Sequence, residues 1–291
     1  MAQVHIDESQ FVDLKDKVTI ITGASSGIGL AAACFFSSHG ARVVAVDINA
    51  FPEADTNDNI VYRKVDLTKW NEQLDLFQWT FDTYGRIDVA FLNAGVAEIE
   101  DVFVDTFDGN GRLQEPQHKV TKINLLATIN GTKLAIHFMR KQTQHGSIVI
   151  TGSGKCFNGI GGTPMYAVSK HGLLGMLRTL AYDVPPEFNI NVNMVCPFWT
   201  NTGILSPEHR EKLASAKKCM QPANVPAIAA AHFSLNPKVH GMALYAACGK
   251  YTDIESGFAL TRPIWIGAEN HLDRVLFEED PAISGFKTKF N

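Results

Sequence analysis

The segment Thr22-Gly-Ala-Ser-Ser-Gly-Ile-Gly29 constrains this chain more than any other stretch. It follows a β-branched run, Lys17-Val-Thr-Ile-Ile21, and opens an amphipathic segment that continues through Ser38. Glycine-rich turns are common, but a strand before and a helix after make this one a signal for a dinucleotide. Gly23 permits the tight turn, Gly27 lets backbone amides approach a pyrophosphate, and Gly29 lets helix and strand pack closely. Ser26 and Ile28 lie between these glycines and share the turn. The helix N-terminus adds a favourable dipole and free N–H groups for an anion.

The rest of the chain repeats the same rhythm. Short apolar runs at 42–46, 60–65, 87–92, 146–150 and 190–195 alternate with amphipathic stretches at about 70–84, 116–142, 164–184 and 222–235. A seventh strand is expected at 258–266. This alternation specifies an α/β chain with a doubly wound parallel sheet of about seven strands, helices on both faces, and ligands at the carboxyl ends of the strands. No linker-like shift or repeat divides it, so residues 1–291 read as one domain. Glu98 to Glu115 is acidic and turn-rich, a surface excursion. Residues 198–221 follow a strand end and are long for a loop, which suggests a lid over a substrate. From 268 onward the tail has no readable pattern.

Composition narrows the function classes. With 45% hydrophobic and 19% charged residues and a net charge of −4, the chain has no electrostatic bias toward nucleic acid or an anionic membrane. No apolar run approaches the roughly 20 residues of a membrane span, and residues 1–17 lack the pattern of a secretion signal, so a cytoplasmic location is expected. The five cysteines, Cys34, Cys156, Cys196, Cys219 and Cys248, are dispersed and odd in number. That argues against a disulfide framework, and with no His-x-x-x-His pair among ten histidines no metal is expected. Cys156 reads as a pocket-wall residue rather than a nucleophile.

Two acidic residues bear on the choice of cofactor. Asp47 ends the second strand, roughly 20 residues beyond the glycines, where a carboxylate accepts hydrogen bonds from ribose hydroxyls and repels a 2′-phosphate. Ser25, Ser26 and Ile48 offer no compensating cation, so NAD is expected rather than NADP. Asp66, followed by Leu67, ends the third strand and could meet the adenine amino group, although a turn role fits nearly as well.

Tyr166-Ala-Val-Ser-Lys170 places a phenol and an ammonium on one helix face. A phenol with an ordinary pKa near 10 is a poor base at neutral pH, and the ammonium together with a positive nicotinamide ring should draw it down. Ser153 follows the fifth strand, Asn93-Ala94-Gly95 closes the fourth, and Asn124 lies in the next helix. The glycine motif, Asn-Ala-Gly, Asn, Ser and Tyr-x-x-x-Lys in this order resemble the short-chain dehydrogenase/reductase family across nearly the whole chain. The resemblance implies a Rossmann-type fold. It implies Tyr166 as general acid/base, and Lys170 as the group that lowers its pKa and binds the nicotinamide ribose. Ser153 would orient the reacting oxygen, and Asn124 would hold a proton-relay water. Asn93, Ala94 and Gly95 would line the cofactor groove, with Pro197, Thr200 and Thr202 near the nicotinamide. Two departures stand out. Gly152 precedes Ser153 where the family usually has serine, and Pro197-Phe198 replaces the common Pro-Gly.

Within the family, Tyr166 to Gly172 and Val195 to Leu205 look most like hydroxyprostaglandin dehydrogenases and fungal secondary-metabolite alcohol dehydrogenases. The expected activity is therefore NAD-dependent oxidation of a secondary alcohol on a bulky, mainly apolar substrate. Phe157, Ile160, Thr163, Met165, Phe198, Trp199, Ile204 and Leu205 are the expected pocket. A ketone or enone reductase is the runner-up, and an NAD-binding regulator without chemistry is a third reading. A homodimer or homotetramer is implied by the resemblance.

Overall fold

The computed structural model describes residues 3–159 and 161–269. In chain order the strands are β1 (Gln3–Val4), β2 (Val18–Thr22), β3 (Arg42–Asp47), β4 (Ile60–Lys64), β5 (Val89–Leu92), β6 (Gly146–Thr151), β7 (Ile190–Pro197), β8 (Ala243–Ala247) and β9 (Lys250–Asp253). The helices are α1 (Gly27–Ser38), α2 (Trp70–Tyr84), α3 (Lys119–Thr121), α4 (Ala127–Met139), α5 (Pro164–Asp183), α6 (Pro207–Ser215), α7 (Asn224–Leu235) and α8 (Ile254–Ile266). The sheet runs β1-β9-β8-β7-β6-β5-β2-β3-β4, parallel from β4 across to β8. None of the described helices is long and apolar enough to cross a membrane.

Strands covered on both faces read as unbroken apolar runs, and β2, β5 and β6 are buried at every residue. Alternate side chains enter opposite cores. Ile20, Ile148 and Met194 pack with Leu76, Phe138 and Leu177 of α2, α4 and α5. Ile21, Val149 and Val195 pack instead with Ala32, Phe36 and Phe233 of α1 and α7. The order reverses between β5 and β2, and a doubly wound sheet opens a crevice at such a reversal.

Four expectations need correction. The sheet has nine strands rather than about seven. Residues 258–266 are not a strand: they belong to α8, which Asp253 caps by accepting from Glu255 N and Ser256 N, and which carries the Arg178–Glu255 ion pair. The β-strand expected there is instead Ala243–Ala247, whose alanines bury well but carry little β-branched signal. Strands β9 and β1 then add antiparallel to its outer edge. Cysteine dispersal also misled: Cys219 and Cys248 form a disulfide across a sequence separation of 29. Dispersal rules out a multi-bridge framework but does not bear on one bridge between segments that tertiary folding brings together. The expected helix at 116–142 is interrupted by a π-helical segment, Lys122–Leu126. The expected irregular tail lies outside the described residues from 270 on, as does Ile160.

Candidate active site

The glycine turn has the geometry its sequence demands. Gly23 is at φ +68°, and a Cβ there would lie 2.8 Å from the Ala94 Cα. A Cβ on Gly29 would strike the Gly23 carbonyl and approach the Asn93 amide nitrogen to 2.7 Å. Ser26 is the N-cap of α1 in extended conformation, yet its side chain makes no capping bond. By contrast Ser206 and Asp253 cap α6 and α8 with their side chains. An uncapped first turn beside a glycine loop fits a pyrophosphate. Ile28 packs toward the core, whereas Ile48 is 55% exposed at the rim. Asp47 stands at the end of β3 and accepts from Ser25 N at 3.0 Å and Asn49 N at 2.9 Å. The structure therefore holds this carboxylate against the glycine turn. Asp66 is occupied locally by Thr68 and Lys69: its Oδ1 accepts from the Thr68 hydroxyl at 2.7 Å, the main cause of a lowered pKa. Leu67 beside it is partly buried against the core.

A hydrogen-bond chain joins the carboxyl ends of three strands. The Thr22 hydroxyl accepts from Asn93 N at 2.9 Å and Ala94 N at 3.1 Å. Thr151 donates its hydroxyl to Asn93 Oδ1 at 3.0 Å, and the Lys170 Nζ donates to the Thr151 carbonyl at 2.7 Å. Thr22 opens the glycine segment, but neither its hydroxyl nor that of Thr151 carries a chemical motif in the sequence. Their only signal is position, as the last residues of β2 and β6.

Asn124 sits fully buried in the π-helical segment, which turns it toward the end of β5. Its Oδ1 accepts from Val96 N at 2.8 Å and its Nδ2 donates to the Val96 carbonyl at 2.9 Å. Such single π turns often mark functional sites. A Cβ on Gly95 would lie 3.3 Å from Asn124 Oδ1 and 3.7 Å from Lys170 Nζ, so the Asn-Ala-Gly turn, Asn124 and Lys170 converge.

Ser153, Tyr166 and Lys170 meet at this point. Pro164 starts α5, and Tyr166 and Lys170 lie one turn apart, with the Nζ 5.6 Å from the phenol ring centroid. Burial pushes the Tyr166 phenol up to about 12, opposed by a hydrogen bond from Ser153. Burial also lowers the Lys170 pKa. The depressed phenol expected of the pair is therefore not present in the protein alone, where desolvation sets the direction of the shift.

The unusual Gly152 has a structural cause. A Cβ there would meet Met194 Sδ at 2.6 Å, Cys196 Sγ at 2.8 Å and Cys156 Sγ at 3.0 Å. Three buried sulfurs fill the space that a serine side chain would need. Cys156 is thus a buried core thiol, donating to the Lys170 carbonyl at 3.1 Å.

The expected lid is pinned at both ends. Phe198 N donates to the Ala246 carbonyl at 2.9 Å. Buried Gln221 donates to the Thr200 hydroxyl at 3.2 Å and the Ala246 carbonyl at 2.8 Å, and accepts from Cys248 N at 2.9 Å. The Cys219–Cys248 bridge fastens the same end. Between the pins Thr202 reaches the glycine turn: a Cβ on Gly27 would lie 3.1 Å from the Thr202 Cβ. Pro197 ends β7, which brings Thr200 and Thr202 to the cofactor crevice.

The expected pocket residues divide. Phe198 contacts both Trp199 and Tyr245 edge-on, each at 6.2 Å, and Trp199 lies 5.6 Å from His209. Ile204 is 41% exposed on the lid. Phe157 packs against the core and Met165 is buried. Thr163 accepts from Lys155 Nζ at 3.1 Å. Leu205 N closes the turn that precedes α6 by donating to the Thr202 carbonyl at 3.2 Å. Among the described residues no cluster of three or more His, Cys, Asp or Glu side chains is arranged to hold a metal.

Known proteins with similar sequences and folds identify the family of the chain. Residues 17–213 match the family model described as short chain dehydrogenase. A short-chain dehydrogenase/reductase of Penicillium roqueforti is 33% identical over 288 residues, covering 93% of this chain and 86% of its own. A (+)-borneol dehydrogenase of Salvia officinalis is 34% identical over 206 residues, 69% of this chain and 76% of its own. The crystal structure of a levodione reductase superposes with a TM-score of 0.68 at 25% identity, covering 79% of this chain and 96% of the other.

Proposed function

Since the chain belongs to the short-chain dehydrogenase/reductase family and is an oxidoreductase acting on CH–OH groups, we propose that it uses NAD to oxidise a secondary alcohol on a bulky, mainly apolar substrate. The observation that carries this reading is the convergence of Ser153, Tyr166 and Lys170 beside the strand-end crevice. The nicotinamide, when bound, accepts the hydride from the alcohol carbon.

The protein's own groups supply the rest. Tyr166 takes the hydroxyl proton as the carbon loses hydride, and Ser153 donates a hydrogen bond to the same oxygen, fixing its direction. Lys170, anchored by the Thr151 carbonyl, would hold the nicotinamide ribose and favour the phenolate. Asn124 is assigned a positioning role, because both ends of its amide are engaged by Val96. The pyrophosphate would rest on the uncapped first turn of α1 at Ser26 to Gly29, with Asn93, Ala94, Gly95, Pro197, Thr200 and Thr202 along the groove. Asp47 would take the adenosine ribose hydroxyls and oppose a 2′-phosphate, with Ile48, Asp66 and Leu67 around the adenine. Phe198, Trp199, Ile204 and Leu205 would form the apolar wall, with Phe157 and Thr163 opposite.

One relative is named a borneol dehydrogenase and another a levodione reductase, so direction needs its own test. NADH absorbance is followed with a panel of secondary alcohols, and in reverse with their ketones. Turnover of apolar secondary alcohols with NAD is expected. Measurable turnover only with ketones and NADPH would reject both the direction and the cofactor assigned. Cytoplasmic action and a homodimeric or homotetrameric state belong to the same reading, checked by fractionation and by light scattering.

A further inference from the structure

Helix α5 carries Tyr166, yet its own sequence does not cap it. The N-cap Thr163 makes no side-chain bond to the helix, and its hydroxyl instead accepts from Lys155. Pro164 at the first position has no N–H to offer. The next two donors, Met165 N and Tyr166 N, are left for a partner distant in sequence. That partner is Glu98: its Oε1 accepts from Met165 N at 3.3 Å and its Oε2 from Tyr166 N at 2.8 Å.

Glu98 belongs to an extended strap that ties down every second residue. Ala94 bonds to Thr22, Val96 to Asn124, Glu98 to the first turn of α5, and Glu100 accepts from Val120 N at 3.4 Å. The strap therefore links the cofactor crevice, the π-helical segment and the Tyr166 helix. An open cleft of about 520 Å³, lined by Glu98, Ile99, Glu100, Asp101, Gly162 and Pro164, lies between the strap and the start of α5.

We propose that Glu98 is a positioning residue for the reaction, fixing the first turn of α5 and setting by its charge the pH at which Tyr166 ionises. A carboxylate is favourable at a helix N-terminus, and charge-assisted bonds to backbone N–H are stronger than neutral ones. The same negative charge opposes phenolate formation one side chain away. Among the described residues the other ionisable groups near the phenol are Lys170 on α5, Cys156 after β6 and Cys196 on β7, while Lys155 lies at the Thr163 hydroxyl and Glu100 and Asp101 line the cleft at the start of α5. Of these groups, among the described residues, Glu98 is the one that accepts from Tyr166 N.

The inference rests on Tyr166 being the acid/base group, and two variants separate its parts. Glu98→Gln keeps an acceptor and removes the charge, whereas Glu98→Ala removes both. Tyrosinate absorbance is titrated with saturating NAD, each protein against its own Tyr166→Phe partner, so that the difference reports Tyr166. Glu98→Gln should move this ionisation to lower pH by roughly half a unit, the scale of one charge acting across a tyrosine side chain in a partly wet site. Glu98→Ala should lose about tenfold in kcat, equivalent to about 1.4 kcal/mol, with NAD affinity unchanged, and Glu98→Gln should restore most of it. An unmoved Tyr166 titration in Glu98→Gln, or parental kcat in Glu98→Ala, would overturn the proposal. If Glu98→Ala fails to fold, the Gln titration decides. Should no alcohol turn over with the parent protein, the functional reading fails, and the titration still judges Glu98.

Discussion

Gly152→Ser introduces the side chain that the family resemblance leads one to expect, and the structure predicts that this chain cannot accept it. The first added atom would sit 2.6 to 3.0 Å from three sulfurs, those of Met194, Cys196 and Cys156. Carbon and sulfur normally rest well beyond 3.5 Å, so each contact overlaps by something on the order of half an ångström or more. Cys156 and Cys196 are 1% and 0% exposed and Met194 is 0% exposed, so relief requires shifting β7 or the turn at Ser153. Overpacking of this kind costs about 1–3 kcal/mol, and near 2 kcal/mol the melting temperature should fall by roughly 4–8 °C. Turnover should fall as well, because Ser153 is the next residue. Cys196→Ala in the same chain removes one of the three collisions and should recover at least about 1 kcal/mol beyond additivity. Thermal and denaturant unfolding of the four members of the cycle measure this directly. A Gly152→Ser protein with parental stability and parental turnover would show that the sulfurs do not occupy that space.

Tyr166→Phe should leave NAD affinity nearly intact and lower turnover by roughly 100-fold or more, the scale of a lost acid–base group; equilibrium binding and steady-state kinetics read the two separately. In the free protein Tyr166 should ionise near pH 12, so its base form is scarce at neutral pH. NAD should lower that value, the oxidative rate should rise with pH as the phenolate forms, and Lys170→Met should move the rate profile to higher pH while weakening NAD. A profile unchanged in Lys170→Met would assign the lysine to structure alone. The parent should prefer NAD over NADP by at least about tenfold in kcat/KM, equivalent to roughly 1.4 kcal/mol. Asp47→Ser should narrow or reverse that ratio without changing which alcohols react, and equal use of both cofactors by the parent would remove Asp47 from the ribose site.

Much of this architecture was legible in the sequence because it rests on local rules. Glycine at 23, 27 and 29 is demanded by backbone geometry, and β2, β3, β5 and β6 announce themselves as largely apolar runs buried on both faces, a pattern that Asn191 and Asn193 interrupt in β7. The i, i+4 spacing of Tyr166 and Lys170 is a property of any helix. Local rules failed where alanine replaced β-branched residues in β8, and where the aromatic run of α8 imitated a strand. Only the tertiary structure decided which residues distant in the chain meet. It placed Glu98 at the uncapped start of α5, Thr151 under Lys170, Gln221 beneath Thr200, Cys219 against Cys248, and three sulfurs beside Gly152. Each of these contacts spans chain segments whose approach is set by the packing of the whole sheet, and no local pattern encodes that separation.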